Sequence, residues 1–101
     1  MRFDVAKDGA TVTVKFEGKL NFVSNQDFQT MLGEAGKAGG SKVVFDLSGL
    51  THIDSVGLGL LYIAKEDLEG LGLRLSLASP NGNVLRLLEL TEANKTFDIT
   101  Q

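Results

Sequence analysis

One short run of this sequence combines residue types and spacing that could do chemistry: Ile53-Asp54-Ser55-Val56-Gly57. Asp54 and Ser55 are both good residues to begin a helix. A helix start offers free backbone N–H groups and a positive dipole end, which favour an added phosphate. Ser55 is therefore a candidate phosphate acceptor, although the Asp54 carboxylate would oppose a phosphate by like charge. The spacing alone favours the plainer interpretation that Asp54 or Ser55 is only the N-cap.

Apart from this run, the sequence has few residues that could carry out catalysis or bind a metal. The sequence has no cysteine, which excludes disulfides and thiolate metal sites, and its one histidine, His52, excludes a multi-histidine site. A hydrolase using Ser55 and His52 is a third reading, but their spacing across a turn does not secure a hydrogen bond, and no oxyanion hole is visible. We therefore predict no enzyme, no metal and no cofactor.

Composition narrows the class of protein further. The chain has 101 residues, 43% of them hydrophobic, and 10 Lys+Arg against 13 Asp+Glu. A chain of this size buries roughly 60–70% of its unfolded surface, enough for a core. The mild acidity argues against a nucleic-acid partner. No apolar run approaches the ~20 residues of a membrane span, and the N-terminus has no apolar signal segment. We expect a single cytoplasmic domain over residues 1–101, without membrane insertion.

The first elements follow from hydrophobic periodicity. Arg2–Val5 and Thr11–Phe16 read as an antiparallel pair turning at Asp8-Gly9. A helix over Ser24–Lys37 is predicted, with Ser24 as N-cap. Asp27 could reach back to that cap, and Val23 and Phe28 stand at the positions of a hydrophobic staple. Its expected buried stripe comprises Phe28, Met31, Leu32 and Ala35.

The remaining elements alternate strand and helix. The apolar run in Ser41–Leu47 predicts a strand covered on both faces, followed by a polar turn. A second helix then opens at Asp54-Ser55 and reaches about Leu68. The last elements expected are a strand at Leu73–Leu77, a helix at Val84–Leu90 and a short strand at Thr96–Ile99. The fold class is therefore α/β, with a mixed, largely parallel sheet of about four to five strands and about three helices.

A helical wheel divides the second helix into faces. The predicted core face holds Gly57, Leu60, Leu61, Ala64, Leu68 and Leu71. Val56, Gly59 and Ile63 lie on the flank, where they either form a small partner-binding patch or widen the core stripe. Gly57 and Gly59 each cost roughly 1 kcal/mol relative to alanine within a helix. Either another backbone approaches closely here, or a partner needs the room.

Several motifs resemble the STAS domain of bacterial anti-sigma factor antagonists. The apolar strand Val43–Leu47 leads through a short turn to Asp54-Ser55-Val56-Gly57-Leu58-Gly59, which is similar to the family's signature Asp-Ser-Ser/Thr-Gly-Leu-Gly. Gly18-Lys19-Leu20-Asn21 stands where the family usually has Gly-Glu-Leu-Asp. Leu73–Asn81 and Leu87–Ile99 resemble the family's later strand, closing helix and final strand, so the likeness covers nearly the whole chain.

The resemblance implies a phosphorylation switch. The serine after the motif aspartate is the family's phosphoacceptor, here Ser55, and its surroundings are Asp54, Asn21 and Gly57. An ATP-dependent anti-sigma serine kinase phosphorylates it, a PP2C-type phosphatase restores it, and the unphosphorylated form binds the kinase. The predicted partner-binding residues are Ser55, Val56, Gly59, Tyr62, Ile63 and Glu66.

This chain departs from the family pattern in three places. Val56 replaces a second hydroxyl residue, which leaves Ser55 as the only local acceptor, and Asn21 replaces an aspartate, which removes a carboxylate beside it. The sequence ends at Gln101, where many relatives continue, so a further helix is expected to be absent. The alternative function is a non-switching STAS subunit, for example the accessory protein of a bacterial lipid ABC transporter, in which the serine is only a cap.

Overall fold

The structure, a computed structural model, describes all of residues 1–101. Two short 3-10 turns, Phe22–Ser24 and Ala93–Lys95, accompany eight longer elements. In chain order these are β1 (Arg2–Asp8), β2 (Thr11–Leu20), α1 (Asn25–Lys37), β3 (Lys42–Ile53), α2 (Ser55–Gly70), β4 (Arg74–Ala78), α3 (Gly82–Leu90) and β5 (Asp98–Thr100).

The strands form one mixed sheet whose spatial order, β1-β2-β3-β4-β5, equals their order in the chain. β1 is antiparallel to β2, and every later neighbour is parallel. Gly9, with φ of 62°, makes the tight turn between the first two strands. The predicted α/β fold with a largely parallel sheet and three helices is confirmed.

One face of the sheet carries the core. Because right-handed crossovers between strands in chain order put each helix on the same side, α1, α2 and α3 cover that face. In β3, Val43 and Phe45 are fully buried there, whereas Val44 between them points to the opposite face and is only half-buried. The prediction that β3 is covered on both faces is therefore wrong.

Three phenylalanines join α1 to the middle of the sheet. The ring centroids of Phe16 and Phe45 lie 5.0 Å apart in an edge-to-face arrangement, and Phe28 from α1 lies 6.3 Å from each. Such pairs contribute about 0.5–1.5 kcal/mol beyond the apolar area that they bury. The predicted stripe of α1 is confirmed, since all four members are buried: Phe28, Met31, Leu32 and Ala35.

The core face predicted for α2 is correct except at its end. Leu71 is 66% exposed, because α2 stops at Gly70 and Leu71 has left the helical backbone conformation. The boundaries of the last two elements also shift, with α3 beginning at Gly82 rather than Val84 and β5 at Asp98 rather than Thr96. None of the helices combines the length and apolar character needed to cross a bilayer.

Candidate functional site

The start of α2 presents Ser55 to solvent. Asp54, in extended conformation, is the N-cap, and its Oδ1 accepts a hydrogen bond of 2.7 Å from the backbone N–H of Gly57. Ser55 is the first residue of the helix, and its side chain is exposed. Of the two residues that could have capped α2, Asp54 does so, which leaves the Ser55 hydroxyl outside the cap.

The strand that leads to Ser55 is longer than predicted. β3 runs on from the expected end at Leu47 to Ile53, so the predicted polar turn is strand. It stays paired with β2 as far as Leu20↔Ile53, with two register irregularities. Beyond Leu47 this segment buries Leu50 and Ile53, whereas its other residues are exposed.

Gly57 and Gly59 have different explanations. A Cβ at Gly57 would lie 2.1 Å from the backbone oxygen of Leu20, so the helix start can approach β2 only with glycine here. A Cβ at Gly59 would meet nothing within 4 Å. Of the two reasons offered for these glycines, close backbone approach therefore holds for Gly57 and not for Gly59.

Asn21 organises the turn that precedes α1. Its Oδ1 accepts a hydrogen bond from Val23 N at 3.1 Å, while the Oγ of Ser24 accepts one from Asn21 N at 3.1 Å. Ser24 Oγ also donates to the carbonyl of Lys19. Ser24 is buried and its side chain makes no capping bond to α1. The predicted capping box of Ser24 with Asp27 is therefore wrong, because the serine hydroxyl is engaged by the turn before it.

The predicted hydrophobic staple between Val23 and Phe28 is also wrong. Val23 is 70% exposed and Phe22 beside it is 69% exposed, so neither packs into the core. The turn carrying them contacts α2, on whose flank Val56 and Ile63 are 49% and 45% exposed. We call these four residues, Phe22, Val23, Val56 and Ile63, the apolar patch. The flank of α2 therefore does not widen the core stripe.

Sequence reasoning missed Phe22 and Val23 as members of this surface. The available signal was two adjacent apolar residues placed in a loop directly after a turn-forming asparagine. Of the remaining predicted partner-binding residues, Glu66 is exposed, whereas Tyr62 is half-buried and its ring lies against Phe97 in a tilted arrangement at a centroid distance of 4.9 Å. The Tyr62 ring thus packs partly against the core.

The structure places no substrate pocket at the serine. None of the cavities is lined by Ser55 or His52. The Nδ1 atom of His52 lies 3.0 Å from Thr51 Oγ1, on an exposed part of β3. No group of three His, Asp or Glu side chains is arranged to hold a metal ion. What the site offers is a hydroxyl at a helix start, bordered by apolar side chains.

Replacing Asn21 by alanine is expected to lower the free energy of unfolding by about 1 kcal/mol, the usual cost of losing such a cap. Asn21→Asp keeps the accepting oxygen and should retain most of that stability. Asn25→Ala, an exposed position at the start of α1, is the matched control and should change it by less than about 0.5 kcal/mol. Urea unfolding measures all three, and equal values for Asn21→Ala and Asn25→Ala would contradict the role of the cap.

Together, the fold and the site define a mixed α/β domain that presents a helix start and an apolar patch. The family model of the STAS domain matches residues 2–101. The chain belongs to the STAS domain family.

Individual relatives agree with this assignment. The chain is 28% identical over 93 residues to a STAS-domain containing protein of Pseudomonas aeruginosa, covering 92% of this chain and 91% of that one. It is similar in structure to a candidate anti-sigma factor antagonist from Thermotoga maritima, with a TM-score of 0.85 and 25% identity over 98% of this chain and 86% of the other. An anti-sigma factor antagonist from Mycobacterium paratuberculosis shares the fold at a TM-score of 0.85 and 22% identity, over 98% and 84% of the two chains.

Proposed function

We propose that this protein is an anti-sigma factor antagonist that works as a phosphorylation-controlled binding module in a bacterial partner-switching pathway. The unphosphorylated form binds an anti-sigma serine kinase, and phosphorylation at Ser55 releases it. The observation that carries the proposal is the exposed Ser55 at the start of α2, directly beside the exposed Val56 of the apolar patch. We also propose that residues 1–101 act as one domain in the cytoplasm.

Fold similarity supports the proposed class of partner. The antagonist SpoIIAA, solved in its unphosphorylated and phosphorylated forms, shares this fold with TM-scores of 0.70 and 17% identity in both. The two structures cover 99% of this chain, and it spans 87% and 92% of theirs. At this identity the likeness concerns the fold, and the proposal that Ser55 is modified rests on the site itself.

The charge of a phosphate on Ser55 is what would weaken partner binding. A phosphate adds about −1.5 to −2 charges at pH 7 to a chain whose formal net charge is −3. The Asp54 carboxylate already accepts a hydrogen bond from the first turn of α2. A phosphate on Ser55 would therefore share the positive end of the helix dipole with this carboxylate. A partner seated on the apolar patch would have to desolvate this charge. A loss of about 4 kcal/mol weakens binding roughly a thousandfold without any rearrangement of the domain.

One departure from the family pattern, Asn21, removes a carboxylate from the turn before α1. Asn21 carries an amide where relatives usually have an aspartate, and the structure uses its Oδ1 as the cap of the turn Phe22–Ser24. The same turn presents the apolar residues Phe22 and Val23. We propose that Asn21 keeps this part of the partner surface in place without adding a negative charge near Ser55.

Phosphorylation of Ser55 is tested with the serine kinase that co-purifies with the wild-type protein, supplied with ATP. Mass spectrometry should show one added phosphate on the wild type, none on Ser55→Ala, and one on Ser48→Ala, an exposed serine on β3 that serves as the control. A PP2C-type phosphatase should remove it. If Ser55→Ala acquires a single phosphate as the wild type does, Ser55 is not the acceptor.

A non-switching role is the second candidate. The domain fold also occurs within a larger membrane protein, the murine anion transporter Slc26a9, at a TM-score of 0.76 and 17% identity over 91% of this chain and 15% of the transporter. An accessory subunit of a bacterial lipid ABC transporter would dock on an ATPase through the same helix face. Stable binding of an ATPase subunit that is indifferent to Ser55→Asp favours this candidate, whereas loss of a kinase from the acidic variant favours the switch.

A further inference from the structure

The end of β3 that leads to Ser55 lacks a strand neighbour on one side. Pairing of β3 with β4 stops at Asp46↔Ala78, although β3 continues to Ile53. From Leu47 onward, β2 is its only strand neighbour. Backbone N–H and C=O groups on the unpaired edge need other hydrogen-bond partners where they are shielded from water.

Two asparagine side chains from the start of α3 bond to this edge. Asn81 Nδ2 donates to the carbonyl oxygen of Ser48 at 3.1 Å, and Asn83 Oδ1 accepts from the N–H of Ile53 at 3.1 Å. Asn81 is the N-cap residue of α3, yet its side chain makes no capping bond within the helix. We call Asn81 and Asn83 the asparagine pair. Its side chains supply hydrogen bonds to the edge of β3 that a longer β4 would otherwise make.

The backbone between β4 and α3 is held in a costly conformation at Ser79. Ser79 has a φ of 55°, which is unusual for a residue with a side chain and disfavoured before Pro80. Its N–H is fixed by a 2.8 Å hydrogen bond to the carbonyl of Thr100 on β5. Strained residues of this kind persist where the surrounding structure over-determines them, often at functional sites.

We propose that Asn83 is a positioning residue for the phosphate acceptor. Its hydrogen bond holds Ile53, the last residue of β3, which is followed at once by the cap Asp54 and by Ser55. The other side of the junction is fixed by Asp54 N donating to the carbonyl of Leu20. Ser55 is thus placed by β2 from one side and by α3 from the other. The part of this inference that concerns phosphorylation rests on the proposed function, whereas the contact with Ile53 does not.

Hydrogen exchange of the Ile53 amide tests the contact without any kinase. In Asn83→Leu, exchange at Ile53 is expected to become about fivefold faster, the effect of losing one hydrogen bond. Asn83→Asp keeps the accepting oxygen and should restore the protection. Asn81→Leu is the matched control, because it removes the bond to Ser48 and leaves Ile53 alone. Wild-type protection of Ile53 in Asn83→Leu would overturn the proposal.

Phosphorylation kinetics test the consequence for Ser55. The apolar patch is intact in Asn83→Leu, so kcat is expected to fall about fivefold while KM for the protein stays within twofold, with Asn81→Leu close to the wild type. Faster Ile53 exchange with an unchanged kcat would overturn the positioning role. Absence of phosphate on the wild type would instead overturn the proposed function, and the exchange comparison would still decide whether Asn83 holds the junction.

Discussion

Replacing Gly57 by alanine is expected to lower the free energy of unfolding by about 3 kcal/mol, although alanine is the better helix former. Overpacking typically costs about 1–3 kcal/mol, and here the obstruction is rigid. The new Cβ would lie 2.1 Å from the carbonyl oxygen of Leu20 and 3.0 Å from a side-chain carbon of Ile53. Relief requires α2 to move away from β2, which would also displace Asp54 and Ser55. Urea unfolding followed by circular dichroism measures the loss.

Gly59→Ala is the matched control for this prediction. It lies on the same helix and introduces the same methyl group, which meets nothing within 4 Å. Since glycine inside a helix costs roughly 1 kcal/mol relative to alanine, Gly59→Ala should raise the free energy of unfolding by about 0.5–1 kcal/mol. The two variants should therefore shift stability in opposite directions. If both variants shift the free energy of unfolding with the same sign and size, the approach of Gly57 to Leu20 does not determine the effect of an added methyl group.

Val56→Asp is expected to weaken binding of the anti-sigma kinase by about 3–4 kcal/mol, roughly two to three orders of magnitude in Kd. Under the proposed function, Val56 lies at the centre of the partner contact and loses its water on binding. An unpaired carboxylate in such a contact costs several kcal/mol. Because Val56 is 49% exposed in the free protein, its replacement leaves the fold nearly unchanged. Titration calorimetry or surface plasmon resonance measures the affinity.

Leu90→Asp separates a local effect from a general effect of charge. Leu90 is 70% exposed, so the substitution introduces the same carboxylate at another exposed apolar residue. It lies at the last residue of α3, away from the end of that helix that contacts β3. Its affinity for the kinase should stay within about twofold of the wild type. A similar loss in both variants would assign the effect to net charge and remove the apolar patch from the contact.

The parts of the fold that the sequence predicted are those set by local periodicity. The helical spacing of Phe28 and Met31 predicts the buried stripe correctly, because a helix face and a core face coincide there. The cap at Asp54 and the close approach at Gly57 were also anticipated as alternatives, since both leave a local signal, a capping residue and a costly glycine.

The parts that were not predicted depend on contacts that hydrophobic periodicity does not show. The Ser24 hydroxyl could cap α1 or close the preceding turn, and its bond to the carbonyl of Lys19 decides the choice. The polar segment after Leu47 looks like a turn, but its pairing with β2 keeps it extended. Likewise, nothing around Asn83 indicates that it meets Ile53, thirty positions away in the sequence. Val44 reads as a core residue until the single-sided placement of the helices is known.

The order of the strands in the sheet has a consequence for how the chain folds. Since each strand neighbours the one made before it, no strand has to enter between two that are already paired. The hairpin of β1 and β2 can form first, and every later strand can then add to the growing edge. During synthesis, assembly can proceed from the N-terminus without waiting for the last residues. The segment carrying Ser55 would then take its place before β5, the last strand, has emerged.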